Sequence, residues 1–440
     1  MRYDDAIKFI FNLELFGIKM GLDNITRFLA RLGDPQNSYK TVHVAGTNGK
    51  GSVSSMLFAI LDAAGYRCGV FTSPHLVDFR ERVRTSGGNI DKRSLAQFVD
   101  EQQQFIRDAR VTFFELSTAL ALWYFRKQCV EIAVIEVGLG GRLDATNVLL
   151  PEVSIITHID YDHTKILGKS LTEIAREKAG IIKTAIPLVT GERRPELLRY
   201  FRDVCRERGT RLWRARPAVA EVQYRGRDML ARIALNGNTP TPVVLSLPGE
   251  HQLANLAVVL KAIEQLRRRG LKISDAAIRR GLKHCRWPAR FQVVSRRPTI
   301  VLDVAHNADG MRALTRTFQR AFPGRKALVL CGFLERPDHD VIMKILARIT
   351  RRAVLTRPES HRAAEIEGVI WAAVGAGIDF DVKLSVADAV DRILQLAGAT
   401  DIVLICGSHY TVGAAIQRLH KLRDRGQLAL TVADITLMNG

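Results

Sequence analysis

Thr41-Val42-His43-Val44-Ala45-Gly46-Thr47-Asn48-Gly49-Lys50-Gly51-Ser52 is the stretch on which the reading of this chain turns. The β-branched run Thr41–Val44 predicts a buried strand, which enters a glycine-rich turn carrying one lysine. Apolar residues then recur at helical spacing (Val53, Met56, Leu57, Ile60, Leu61, Ala64), with Gly65 as a helix stop. Strand, turn and helix together predict a phosphate cradle. Backbone N–H groups and the helix N-terminus point at the anion, and Lys50 adds a full positive charge. The common phosphate-loop pattern has glycine where Val44 stands and serine directly after the lysine, so this loop is a variant. The plain alternative is a glycine-rich βα connection. Lysine and serine, each beside glycine at the mouth of a helix, favour nucleotide binding by Thr47, Asn48, Gly49, Lys50, Gly51 and Ser52.

Outward from this loop, strand-like and helix-like segments alternate through both halves, which predicts an α/β architecture with mainly parallel sheets. Strands are expected at Thr41–Val44, Gly69–Phe71, Ile132–Val137, Val153–Thr157 and Ile186–Val189. A second series is expected at Thr299–Val304, Ala327–Cys331, Ala353–Thr356 and Ile402–Cys406. Between them, Val219 to Leu247 carries short β-type runs around Asn236-Gly237-Asn238, a hairpin signal. A chain of 440 residues exceeds one comfortable core. The expected division is a phosphate-loop ATPase domain over 1–288, a linker over 289–298, and a smaller Rossmann-like α/β domain over 299–440. The second half carries no phosphate loop of its own.

Hydrophobic residues make up 47% of the chain and charged ones 25%, the balance of a globular protein. Met1-Arg2-Tyr3-Asp4-Asp5 lacks a signal-peptide layout, and the apolar run Phe9 to Ile18 is short and broken by Asn12 and Glu14. No membrane partner is expected. Cys68, Cys129, Cys205, Cys285, Cys331 and Cys406 lie far apart, which argues for reduced thiols in a cytoplasmic protein and against a zinc site. The net charge of +20 is partly gathered between Arg267 and Arg297. Solvated helix faces are the plain account and attraction of anionic small molecules the next. Nucleic acid is not expected as a partner, because neither interleaved aromatics nor a reader motif accompanies the arginines.

Further candidates lie at strand ends. Glu136 closes Ile132–Val137, where parallel sheets offer their ligand crevice, and a carboxylate there suits Mg²⁺ bridging nucleotide phosphates or a structural ion pair. His163 sits in the polar run after Val153–Thr157; by itself it reads as a surface or hydrogen-bonding group. Ser170-Leu171-Thr172-Glu173 is a capping box opening a helix that ends near Lys178, whose plain role is a C-terminal cation favoured by the dipole. Phe113 and Phe114 either stack on a flat heterocycle or belong to the core.

Five segments in order and spacing give the chain a family. They are Val44 to Ser52, Ser73-Pro74-His75-Leu76, Glu136 to Asn147, Asp162-His163-Thr164 with Glu177-Lys178-Ala179-Gly180-Ile181, and Asp303-Val304-Ala305-His306-Asn307. Across nearly its whole length the chain resembles the folylpolyglutamate synthase/dihydrofolate synthase family of the Mur ligase superfamily. The resemblance implies an ATP-dependent ligase, a monomer, that joins L-glutamate to dihydropteroate or reduced folates through an acyl phosphate. It implies Mg²⁺ held by Ser73, Glu136 and His163, a carbamylated Lys178, and ATP contacts from Asn255, Arg290 and Asp303. Catalysis would fall to Lys50, His163 and Lys178. The segments Thr112-Phe113-Phe114-Glu115 and Leu143-Asp144-Ala145 resemble the pterin pocket of bifunctional members. Three departures stand out. Ala289 replaces the glycine of Pro-Gly-Arg-Phe, Ala308 replaces a proline, and Glu335-Arg336-Pro337-Asp338 replaces Asp-Lys-Asp. Other readings are a Mur-type ligase for another acid and amino acid, and a basic ATPase acting on nucleic acid.

Overall fold

The computed structural model describes the chain except residues 14–16, 18–20, 217–218, 226–227, 235–239 and 431–440. Its first sheet contains β1 (Lys40–Ala45), β2 (Cys68–Phe71), β3 (Val83–Thr85), β4 (Gly88–Asn89), β5 (Ile132–Glu136), β6 (Val153–Ile156), β7 (Leu188–Thr190) and β8 (Leu212–Arg214). The order is β4-β3-β2-β5-β1-β6-β7-β8, parallel from β2 to β8, with β3 and β4 as an antiparallel extension. Strand β1 pairs with β5 and β6 along its two edges, and side chains on both its faces are buried, Val42 and Val44 on one and His43 and Ala45 on the other. Val42, Val44, Ile132, Val134, Val153 and Ile155 fill one face of the sheet and Ala45, Ala133, Ile135 and Ile156 the other, which is why the central strands read as apolar runs without alternation. The helix Lys50–Ala63 begins at the predicted lysine and lays Val53, Met56, Leu57, Ile60 and Leu61 on this sheet. Gly65 takes a positive φ of 94° just beyond its end.

The expected strand at Ile186–Val189 forms as Leu188–Thr190. Pro187 has no N–H to give, and Ile186 is held in a turn by the Lys183 carbonyl, so the ladder starts after them. β9 (Val219–Arg225), β10 (Asp228–Ile233) and β11 (Thr241–Leu245) make a small antiparallel sheet. β10 and β11 pair around the expected hairpin, whose Asn236-Gly237-Asn238 lies outside the described residues.

The second sheet orders β12-β13-β17-β14-β15-β16, from β12 (Gln292–Arg296), β13 (Thr299–Leu302), β14 (Ala327–Cys331), β15 (Thr350–Thr356), β16 (Phe380–Lys383) and β17 (Ile402–Cys406). β13 to β16 run parallel, and β12 pairs antiparallel with β13. The stretch 289–298, expected as a linker, thus supplies the edge strand of this sheet. Its alternating Gln292, Val294 and Arg296 gave only a weak strand signal. All six cysteines are free thiols and five are buried. Among the described residues no helix is long and apolar enough to cross a membrane.

Candidate active site

The glycine-rich loop is held by the strand ends beside it. Gly46 has φ 149°, and a Cβ there would lie 1.8 Å from Thr157 Oγ1, so only glycine lets the loop settle on the end of β6. Gly49 (φ 88°) similarly passes beneath Asn255, whose Oδ1 would meet a Cβ at 2.4 Å. Thr47 is pinned twice to the neighbouring loop: its N–H donates to the His158 carbonyl (2.7 Å) and its hydroxyl to the Asp160 carbonyl (3.0 Å). Ser52 accepts from Gln252 Nε2 (3.2 Å), and Gln252 in turn accepts from Asn255 Nδ2 (2.9 Å). Asn255 therefore reaches the loop from the helix Glu250–Arg268.

Two lysines converge on one carbonyl. Lys50 Nζ donates to Gly46 O (3.0 Å) and Thr47 O (3.2 Å), and Lys178 Nζ donates to the same Gly46 O (3.0 Å). Lys178 is buried; desolvation, with the Lys50 charge adding to it, lowers its ammonium to about 7. The helix holding it opens with the predicted capping box of Ser170 and Glu173.

Glu136 ends β5 directly beside Val44 of β1, which puts its carboxylate next to the loop. It is buried, accepts one long hydrogen bond from Ser73 N–H (3.4 Å), and burial raises its carboxyl to about 7 against the pull of Lys50 and Arg290. His163, its side chain 36% exposed, stands at φ 48° at the head of the short helix Thr164–Leu167, and partial desolvation lowers its imidazole to about 4. It is neutral at physiological pH, with a lone pair to offer. Serine hydroxyl, carboxylate and neutral imidazole are donors that fit a divalent cation, and an under-bonded buried carboxylate is the group such an ion stabilises.

The second domain closes over this edge. Asp303, after β13, accepts from Phe291 N–H (2.9 Å) and Ala305 N–H (2.7 Å), and its charge acts on half-buried Arg290, which also feels Glu136. Asn48 of the loop donates to Asp309 (2.9 Å) and accepts from Asn307 Nδ2 (3.1 Å). Arg336 Nη1 meets Asp162 at 3.0 Å. Ligand atoms of His158, Asp160 and Asp309 lie within 4.8 Å of one another, also across the domains. Sequence reasoning missed Asp309 and Arg336 as seam residues, because partners 261 and 174 residues away leave no local pattern.

The segments assigned to the pterin pocket divide. Thr112 and Glu115 cap the helix Phe113–Lys127 reciprocally, and Asp144 accepts from the N–H groups of Leu139 (2.8 Å) and Thr146 (3.0 Å). These polar side chains hold backbone. Leu143 is half-buried and Ala145 buried beside Asp144. Phe114 fills the space above Gly138 and packs on Phe71. Phe113 faces Phe11 (6.0 Å, stacked) and Phe79 (5.8 Å, edge-on), with the Arg82 guanidinium 4.9 Å from its ring centre. Phe11 and Phe79 were not legible as part of this aromatic group. The first three arginines of the basic run are paired: Arg267 bonds Ile273 O and Asp275, Arg268 pairs with Glu264, and Arg269 pairs with Glu152.

The chain matches the Mur ligase middle domain over residues 44–263 and the Mur ligase glutamate ligase domain over 289–409. It is 35% identical over 425 residues to the dihydrofolate synthase/folylpolyglutamate synthase of Escherichia coli K12, covering 96% of each chain. It is 34% identical to a probable bifunctional folylpolyglutamate synthase/dihydropteroate synthase of Haloferax volcanii. There the match takes in 99% of this chain but 54% of the relative, so the chain spans about half that protein's length. A bifunctional folylpolyglutamate synthase/dihydrofolate synthase solved with Mn, AMPPNP and L-glutamate aligns with a TM-score of 0.80 at 33% identity. That alignment covers 94% of this chain and 98% of the other.

Proposed function

Since this chain belongs to the folylpolyglutamate synthase/dihydrofolate synthase family of Mur ligases, we propose that it is an ATP-dependent ligase joining L-glutamate to a pteroate or folate carboxylate. A carboxylate resists attack by an amine because its oxygen leaves poorly. Transfer of the γ-phosphoryl group to that oxygen gives an acyl phosphate and ADP. The glutamate amine then attacks the acyl carbon, an N–C bond forms, and phosphate leaves as the amine loses a proton.

The observation that carries this reading is the convergence on the glycine-rich loop of Lys50, Lys178 and under-bonded Glu136, roofed by Arg290 and Asp303. Lys50 neutralises charge moving from nucleotide to leaving phosphate. Ser73, Glu136 and His163 are the residues to hold a divalent cation, which when bound supplies further neutralisation of the phosphates. Thr47, Asn48, Gly49, Gly51, Ser52 and Asn255 shape the phosphate cradle. Phe113 and Phe114, with Leu143 and Ala145 nearby, offer apolar contact to the acceptor. The polar Thr112, Glu115 and Asp144 fix the backbone around that contact. Residues 1–288 bind nucleotide and acceptor, and 299–440 close on them.

An ammonium lowered to about 7 leaves much of Lys178 as free amine at neutral pH. Such an amine adds to CO₂ and loses a proton, turning a buried cation into an anion beside the cation site. Bicarbonate restoring turnover to CO₂-depleted enzyme tests this; an enzyme indifferent to CO₂ removes the carbamate. The main experiment supplies purified protein, ATP, Mg²⁺ and glutamate with dihydropteroate or tetrahydrofolate and counts products by mass. Both acceptors are expected to gain glutamate. Addition to one alone ends the bifunctional reading, and addition to neither, with ATP still hydrolysed, ends the folate reading.

A further inference from the structure

From the second domain, one side chain reaches the carboxylate that holds the backbone of His163. Asp162 Oδ1 accepts two hydrogen bonds: one from the His163 backbone N–H (3.1 Å) and one from Arg336 Nη1 (3.0 Å). Arg336 and Asp162 expose only 16% and 12% of their side chains, so the pair is shielded from water. His163 needs such a hold. Its φ of 48° is unfavourable for a residue with a Cβ, and a carboxylate folded onto its own N–H stabilises that turn.

The loop that presents Arg336 is braced. Leu334 bridges to Ala363, the Glu335 N–H donates to the Arg362 carbonyl (2.8 Å), and Pro337 fixes the backbone that follows. Arg336 Nε also bonds Asp338 (3.0 Å), which aims the guanidinium before it meets Asp162. This is the segment Glu335-Arg336-Pro337-Asp338 that departs from the family pattern, and a planar fork serving two carboxylates is a task a lysine performs poorly.

We infer that Arg336 is a positioning residue that links closure of the second domain to the orientation of His163. The inference rests on the cation-holding role proposed for His163. When the domains meet, Arg336 anchors Asp162, Asp162 anchors the His163 backbone, and the imidazole is held in the orientation in which it would take a cation. When they part, the turn loses its outer support.

Arg336→Ala tests the link, with Arg336→Lys as the conservative control. The first readout is amide hydrogen exchange in the ligand-free protein, which requires no activity. Exchange across residues 158–168 is expected to speed about tenfold while β14 is unchanged. The second is the Mg²⁺ half-saturation of turnover, expected to rise about tenfold in the alanine variant and less in the lysine variant. Wild-type exchange in 158–168 overturns the inference, as does acceleration spread evenly over the whole chain. A wild-type protein that forms no glutamate adduct fails the functional proposal instead, and leaves the exchange result to decide this one.

Discussion

The glycine-rich loop and the domain seam meet at Asn48, yet they are built in opposite ways. The loop is built within one domain. Gly46 to Ser52 follow β1 without a gap, and its lysine bonds carbonyls three and four residues away. The seam is assembled from Asn48 with Asn307 and Asp309, Asp162 with Arg336, and the helix His409–Asp424 against Leu76. None of these pairs shares a strand or helix. A loop pinned within its own domain, by His158, Asp160 and Gln252, is ready before any ligand arrives, whereas a seam of scattered contacts between domains is easily opened. The difference suits a reaction that must admit three substrates and then exclude water.

Four substitutions press on this contrast. Lys50→Ala should have the largest effect, lowering the rate of ADP formation by about a hundredfold or more, since it removes charge at the phosphates. Circular dichroism should stay unchanged, because the glycines shape the turn. Turnover above about a tenth of wild type would take Lys50 out of the chemistry.

Gly413→Ala attacks the seam alone. A Cβ there would lie 2.0 Å from the Leu76 carbonyl oxygen, so the helix must back away from the first domain. Turnover is expected to fall about tenfold with both cores intact, and small-angle scattering should report a more open particle. A wild-type rate in this variant would mean that close approach at Leu76 is not needed.

Glu136→Gln separates function from stability. Burial raises the folded carboxyl from 4.5 to about 7, so the folded state binds this proton more tightly than the unfolded chain. Its stabilising contribution is complete below pH 4.5 and is lost as pH rises through about 7. In metal-free protein at pH 8, the glutamine variant should therefore melt at a higher temperature than wild type while needing more Mg²⁺ for turnover. A lower melting temperature with unchanged Mg²⁺ demand would make Glu136 a structural residue.

The smallest effect is expected at Ala289→Gly. Ala289 holds φ 56°, a left-handed conformation that glycine adopts without a Cβ clash, and it occupies the position of the family's glycine. Relief of about 1 kcal/mol should appear in denaturant unfolding, with activity unchanged. A loss of stability would mean that packing of the buried methyl outweighs the backbone strain.

The sequence by itself determined the two parallel sheets, because their central strands are unbroken β-branched and aliphatic runs whose period needs no partner to be read. It also determined the phosphate loop and the capping box at Ser170, both written in consecutive residues. Glu136 was legible as a strand-end carboxylate, whereas Lys178, Asn255 and Asp303 were pointed to by the family resemblance. Tertiary structure alone decided that 292–296 joins the second sheet, since a short edge strand is fixed by its neighbour β13 and carries little pattern of its own. It alone decided that Thr112, Glu115 and Asp144 hold backbone, because a carboxylate or hydroxyl is committed by whichever N–H groups surround it. And it alone brought Arg336 to Asp162, for an ion pair across two domains depends on how the domains meet, a geometry that no stretch of neighbouring residues encodes.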